Sequence, residues 1–172
     1  MRDEDLRRED DELPVVTSRA WVFTDFLRAE EIVPAGMRDL AESARSLFRP
    51  LDDAMPERIG RGDIVVGGSE FACGDGGVQA ARALRRAGIS AVVARSFAVE
   101  FAAEALVVGL PAIRIDETQM IRSGDQLRLD IEGRRLVNLS SGDRYPIREL
   151  SEEEVTALRA GGSRVRNGAS RS

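Results

Sequence analysis

A chain of 172 residues with 42% hydrophobic content is long enough to bury the core of one domain and too apolar for general disorder. Its formal charge of −5 argues against nucleic acid as the main partner, and the absence of histidine excludes His-based acid–base chemistry, Ser-His-Asp triads and His-ligated metals within the chain. A single cysteine, Cys73, rules out an intrachain disulfide and cannot by itself carry an iron–sulfur cluster.

No apolar run approaches the ~20 residues of a membrane span, and the first thirteen or so residues are too charged for a signal peptide, so the cytoplasm is the expected compartment. Residues 1–16 open with mostly Asp, Glu and Arg and are expected as a solvated, disordered acidic arm. Ala20, Trp21, Val22 and Phe23 predict a first strand, and residues 24–35 a loop. Leu40, Ala44, Leu47 and Phe48 fall at helical spacing and predict an amphipathic helix over 37–48. Pro50 and Pro56 then bracket a connection into residues 62–81, the most informative stretch of the chain.

There Ile64, Val65 and Val66, β-branched and uninterrupted by charge, predict a short buried strand, and residues 78–87 a helix. Between them stand Gly67, Gly68, Gly74, Gly76 and Gly77, a connection able to take positive φ and to bring its backbone close to another group. A strand feeding a glycine-rich turn that opens a helix leaves backbone N–H groups aimed at one spot, where an anion is favoured. Residues 89–94 predict a second buried strand, completing a parallel βαβ unit; a helix over 99–108 and a strand over 109–113 follow. Residues 126–131 and 134–139 alternate apolar and polar side chains around Glu132-Gly133, which predicts a hairpin. Ser151 with Glu154 forms a capping box for a last helix over 152–160, and residues 162–172 are expected as a loose tail. The fold expected over 17–161 is one α/β domain: a mixed sheet with parallel βαβ units, flanking helices and a C-terminal hairpin.

The run Phe71-Ala72-Cys73-Gly74-Asp75-Gly76-Gly77-Val78-Gln79-Ala80 is similar to a loop of the small, swivelling subunit of isopropylmalate isomerase and of the mobile domain of aconitase and homoaconitase. That loop reads Phe-Gly-Cys-Gly-Ser-Ser-Arg-Glu-His-Ala, with Phe71, Cys73, Gly74 and Ala80 in register. Residues 18–35 align without a gap to the family's Gly-Arg-Val-Trp-Lys-Phe-Gly-Asp-Asn-Ile-Asp-Thr-Asp-x-Ile-Ile-Pro-Ala, matching at Arg19, Trp21, Phe23, Asp25, Ile32, Pro34 and Ala35. Arg95-Ser96-Phe97-Ala98 repeats the family's Lys/Arg-Ser-Phe-Ala motif. The resemblance covers about residues 18–161 and implies an aconitase-type swivelling domain. It also implies the small subunit of a hydro-lyase, resembling 3-isopropylmalate dehydratase. Such a subunit works on a hydroxy-acid with a large subunit that carries a 4Fe–4S cluster, with no metal in this chain and no nucleic acid or membrane as partner.

Carried over position by position, the resemblance puts Asp75 at the family's catalytic serine, Gly76 at the second serine and Gly77 at the arginine that grips a substrate carboxylate. Gln79 stands at the histidine, Glu30 at an aspartate, and Met37-Arg38 at the Tyr-Leu that opens the family's substrate-choosing loop. The candidate catalytic residue is therefore Asp75, and the candidate substrate-binding residues are Cys73, Gly74, Gly76, Gly77, Glu30, Arg95 and Ser96. Arg95 and Ser96 would replace the grip that glycine cannot supply. Other roles stay open for the same residues: Asp75 as a helix N-cap, Cys73 as a small buried side chain, Arg95 and Glu30 as solvated loop residues. The glycine loop alone lacks the Gly-x-Gly-x-x-Gly spacing and distal acid of a dinucleotide site. Two functions follow: the hydro-lyase small subunit, or a diverged swivel domain that binds an anionic metabolite or regulates a partner without reacting it.

Overall fold

The protein is described here by a computed structural model covering residues 12–162; the expected tail from residue 163 on, and the expected arm up to residue 11, lie outside the described residues. β1 (Val16–Val22) leads through three short helices, α1 (Ala29–Ile32), α2 (Leu40–Ala44) and α3 (Met55–Arg58), to β2 (Ile64–Val66). Then come α4 (Gly77–Arg86), β3 (Ala91–Ala94), α5 (Val99–Val108) and β4 (Ala112–Arg114). A 3-10 turn at Thr118–Met120 precedes β5 (Gln126–Asp130), β6 (Arg135–Asn138), β7 (Arg144–Pro146) and α6 (Glu152–Arg159).

The seven strands form one mixed sheet in the order β4-β3-β2-β1-β5-β6-β7. β1 to β4 run parallel, with Ile64 opposite Ala20 and Ala91; β5 lies antiparallel to β1 and continues as a meander through β6 and β7. Because parallel neighbours need a crossover, β2-α4-β3 and β3-α5-β4 are consecutive βαβ units. The far edges approach each other, with Arg114 at the end of β4 bridging antiparallel to Arg148 beyond β7, so the sheet curls towards a barrel.

Curling gives two cores. Val65, Val92 and Ala94 face α4 and α5 and pack with Phe71, Leu84, Phe101 and Leu110. The alternate residues Ile64, Val66, Ala91 and Val93 face inward and meet Leu127, Leu129 and Leu136 of the meander. β2 and β3 are thus buried on both faces, which is why they read as unbroken apolar runs. The small side chains of α4 let it lie close on the sheet, with Ala80, Ala81 and Ala83 fully buried.

The differences from the expected elements are local. β1 begins at Val16, four residues before the expected strand, because the meander supplies a partner for it: Val16 pairs with Leu129 and Ser18 with Leu127. Val16 therefore belongs to the sheet and not to the arm, and Leu13 donates its N–H to Glu132 Oε1. The expected loop 24–35 contains the single turn α1, and the expected helix 37–48 shortens to α2, after which Phe48 takes φ +61° and stacks on Phe23 at 4.1 Å. β7, whose three residues carry too little pattern to be read, is an added strand. The β2, α4, β3, α5, hairpin and Ser151–Glu154 capped α6 expectations match what is observed, within a residue or two at their ends. No helix among the described residues is long and apolar enough to cross a membrane.

One buried carboxylate joins β1 to β2. Asp63 accepts from Arg19 Nε and Nη2 at 3.2 and 3.1 Å, Trp21 Nε1 at 2.8 Å and the Gly60 N–H at 2.8 Å. Asp63→Ala strands these donors. With Arg19 partly solvated, the loss of unfolding free energy is expected at roughly 2 kcal/mol, read from the urea midpoint; an unchanged midpoint would refute the role.

Candidate functional site

The loop 67–76 runs from the C-terminal end of β2 to the start of α4, the end of a parallel sheet at which ligands generally bind. It does not hold its own shape. Ser69 N–H donates to Asp25 Oδ1 at 2.7 Å, and Phe26 N–H to the Ser69 carbonyl at 2.7 Å. Cys73 N–H then donates to Leu27 O at 3.0 Å, and Ala29 N–H to Cys73 O at 2.9 Å, so residues 25–29 zip along residues 69–73. On the other side Glu70 N–H donates to Ser96 Oγ at 2.8 Å and Phe71 N–H to Ser96 O at 3.0 Å. Phe71 is the loop's apolar anchor, fully buried and edge-on to Phe101 at 5.2 Å.

Tight threading demands unusual backbone. Glu70 and Ala72 take φ of +53° and +63°, each at a cost of roughly 1 kcal/mol that the two flanking segments hold in place. Gly68 has no room for a side chain, since a Cβ there would come within 1.8 Å of Asp25 Oδ1. The Ser69 N–H, with the Arg95 guanidinium 2.6 Å away, holds the Asp25 carboxyl below its ordinary range.

Where the loop enters α4, Asp75 stands exposed. The N-cap of α4 is Gly76, at φ +95°, and no side chain caps the helix, which corrects the N-cap reading of Asp75. The carboxylate is therefore not committed to the helix, while the unpartnered first amides of α4 and the helix dipole favour an anion there. A hollow of about 430 Å³ opens at this point, lined by Asp75, Gly76 and Gln79 on one side and by Glu30, Met37 and Arg38 on the other. Glu30 keeps an exposed ion pair to Arg28 at 3.3 Å.

The fold thus gathers Asp75, Gly76 and Glu30 from the expected set around one hollow and places the other five elsewhere. Cys73 is partly exposed, rather than buried as its bland reading held, and its Sγ lies 3.4 Å from Phe26 O. Gly74 lies exposed at the tip of the turn. Gly77 is buried against α5, where a Cβ would come 3.0 Å from Phe101 N, so close helix packing explains this glycine and its position does not face the hollow. Arg95 and Ser96 form a separate cluster with Asp25 and Glu70 and do not line the hollow. Sequence reading missed Arg38, an arginine with no ion pair among the described residues, and the part played by Asp25. The signals were present: Arg38 follows the Pro34-Ala35-Gly36 turn at the substrate-choosing position, and Asp25 sits inside a matched motif.

Among the described residues no group of three or more His, Cys, Asp or Glu could hold a metal ion, and one cysteine does not fit an iron–sulfur cluster. The arrangement can do simpler chemistry: a carboxylate beside helix amides and a free guanidinium can orient a carboxylic acid and exchange a proton with it.

Comparisons with known proteins bear on the family and the fold. Residues 46–118 match the aconitase C-terminal domain family. The chain is 38% identical over 151 residues to the 3-isopropylmalate dehydratase small subunit of Pyrobaculum neutrophilum, covering 86% of this chain and 93% of that protein. It is 33% identical to the isopropylmalate/citramalate isomerase small subunit of Methanocaldococcus jannaschii, covering 86% and 90%. The crystal structure of 3-isopropylmalate dehydratase from Methanocaldococcus jannaschii superposes with a TM-score of 0.82 at 28% identity, over 91% of this chain and 96% of that one.

Asp25 gives a pH signature. Its depressed carboxyl stabilises the fold above the ordinary carboxylate pKa, and that contribution fades as pH falls through the lower folded value. The difference in melting temperature between the parent and Asp25→Asn should therefore shrink as pH drops below about 4. A difference constant across that range would refute the assignment.

Proposed function

The chain belongs to the 3-isopropylmalate dehydratase small-subunit family, and on that premise we propose that it is the small subunit of a hydro-lyase acting on a hydroxy-acid. Its partner in this reading is a large subunit bearing a 4Fe–4S cluster, the group that this chain's single cysteine cannot hold. The observation that carries the proposal is Asp75, uncommitted to capping, at the mouth of a hollow formed by the α4 N-terminus and Arg38.

Asp75 takes the proton from the carbon next to a substrate carboxylate. The electron pair left behind forms the double bond as the hydroxyl departs on the partner's side, and rehydration reverses the step with Asp75 returning the proton. Arg38 pairs with a substrate carboxylate in place of the family arginine lost at Gly77, and the free amides of α4 support the negative charge. Glu30, tied to Arg28, shapes the opposite wall. A cytoplasmic location and a partner that is protein rather than nucleic acid suit this role.

The test is coexpression with a cognate large subunit. Asp75→Asn should lower kcat by about 100-fold or more with complex formation and melting temperature unchanged. Arg38→Gln should raise KM roughly tenfold. An Asp75→Asn complex as active as the parent, or an isolated chain that turns over hydroxy-acid, would overturn the proposal.

A further inference from the structure

A second hollow, of about 620 Å³, lies at the opposite end of the βαβ unit. Its walls include Gly60 and Ile59 before β2, and Arg86, Ala87 and Ile89 after α4; the first hollow lies at the N-terminus of that helix. The ten residues of α4, about 15 Å, separate them. Nothing in the proposed reaction uses this second hollow.

Its lining combines three exposed arginines with an apolar floor. Arg45 comes from the end of α2, Arg49 from the loop before α3, and Arg86 from the last turn of α4. Ten other arginines have a carboxylate within 4.0 Å, but none of these three makes an ion pair or side-chain hydrogen bond among the described residues. One carboxylate, Glu57, shares the hollow, leaving an excess of positive charge in a chain that is negative overall. Compensation of a helix C-terminus suits Arg86, in the last turn of α4, and Arg45, the C-cap of α2, but not Arg49, which follows no helix end, and it does not bring the three to one hollow. Ala41, Ala44, Leu47, Pro56 and Ile59 supply the apolar part.

We propose that this hollow is a binding site for an organic phosphate. Guanidinium groups converging from three segments suit the oxygens of a di- or triphosphate, each able to give two parallel hydrogen bonds, while the alanine, leucine and proline wall takes the body of the molecule. The volume falls in the range of small-molecule sites and accommodates a nucleotide. Placed about a helix length from the reacting hollow, such a ligand binds outside the catalytic cleft.

Calorimetric titration of the full chain at fixed ionic strength tests this, with ADP as probe, inorganic pyrophosphate as the phosphate-only comparison and adenosine as the uncharged one. ADP should bind saturably and more tightly than pyrophosphate, and adenosine should give no heat. Each of Arg45→Gln, Arg49→Gln and Arg86→Gln should weaken ADP roughly tenfold, and the triple variant should abolish binding. All three side chains are exposed, so circular dichroism should find the variants folded; Arg38→Gln should bind ADP within about twofold of the parent, because it belongs to the other hollow. No saturable ADP binding, undiminished binding by the triple variant, or pyrophosphate binding as tightly as ADP would each overturn the proposal.

Discussion

The candidate site rests on how residues 25–29 grip residues 69–73. A glycine-rich loop has high conformational entropy, and ordering each residue costs on the order of 1 kcal/mol or more. Here the cost is met by a ladder of backbone hydrogen bonds with Asp25 at its head, accepting from Ser69 N–H and Arg95 together. Gly68 is what permits that approach, since any side chain would occupy the place of the Asp25 carboxylate. The two motifs are distant in sequence but form one structural unit.

This linkage explains which parts of the loop are free to carry chemistry. From Gly67 to Cys73 most backbone groups are engaged with residues 25–29, with the segment around Ser96 or with β3, and the Phe71 ring is locked among Phe97 and Phe101. Beyond Cys73 the constraints lapse: Gly74 and Asp75 are exposed, and α4 begins without a side-chain cap. The rigid half of the loop aims the open half. A side chain at position 75 is thereby presented at a fixed place relative to the helix amides, whatever residue stands there.

Legibility followed the same division. β2, α4, β3 and α5 were readable because burial on both faces leaves unbroken β-branched runs and alanine-rich helices. β7 and α1 were not, because three or four residues carry no period. At the candidate site, register alone placed Glu30 and Asp75, which line one hollow, but neighbours in sequence are not always neighbours there. Gly77 adjoins Gly76 yet turns into the α5 interface, and Arg95 follows a matched motif yet is held by Asp25. Arg38 was overlooked for the converse reason: its approach to Asp75 depends on how the chain turns after Pro34, which no local pattern encodes.

Replacing a hydroxyl nucleophile or base with a carboxylate alters what the rest of the complex must do. A serine hydroxyl needs a neighbour to take its own proton before it can accept one, whereas a carboxylate side chain offers an acceptor oxygen directly. Asp75 stands exposed in this chain, and in the proposed complex a covering surface would remove water from around its carboxylate and from the hollow. The same covering surface would strengthen the attraction between Arg38 and a substrate carboxylate. On the proposed function, closure against another polypeptide would thus complete a site that this chain by itself leaves open at Asp75 and Arg38.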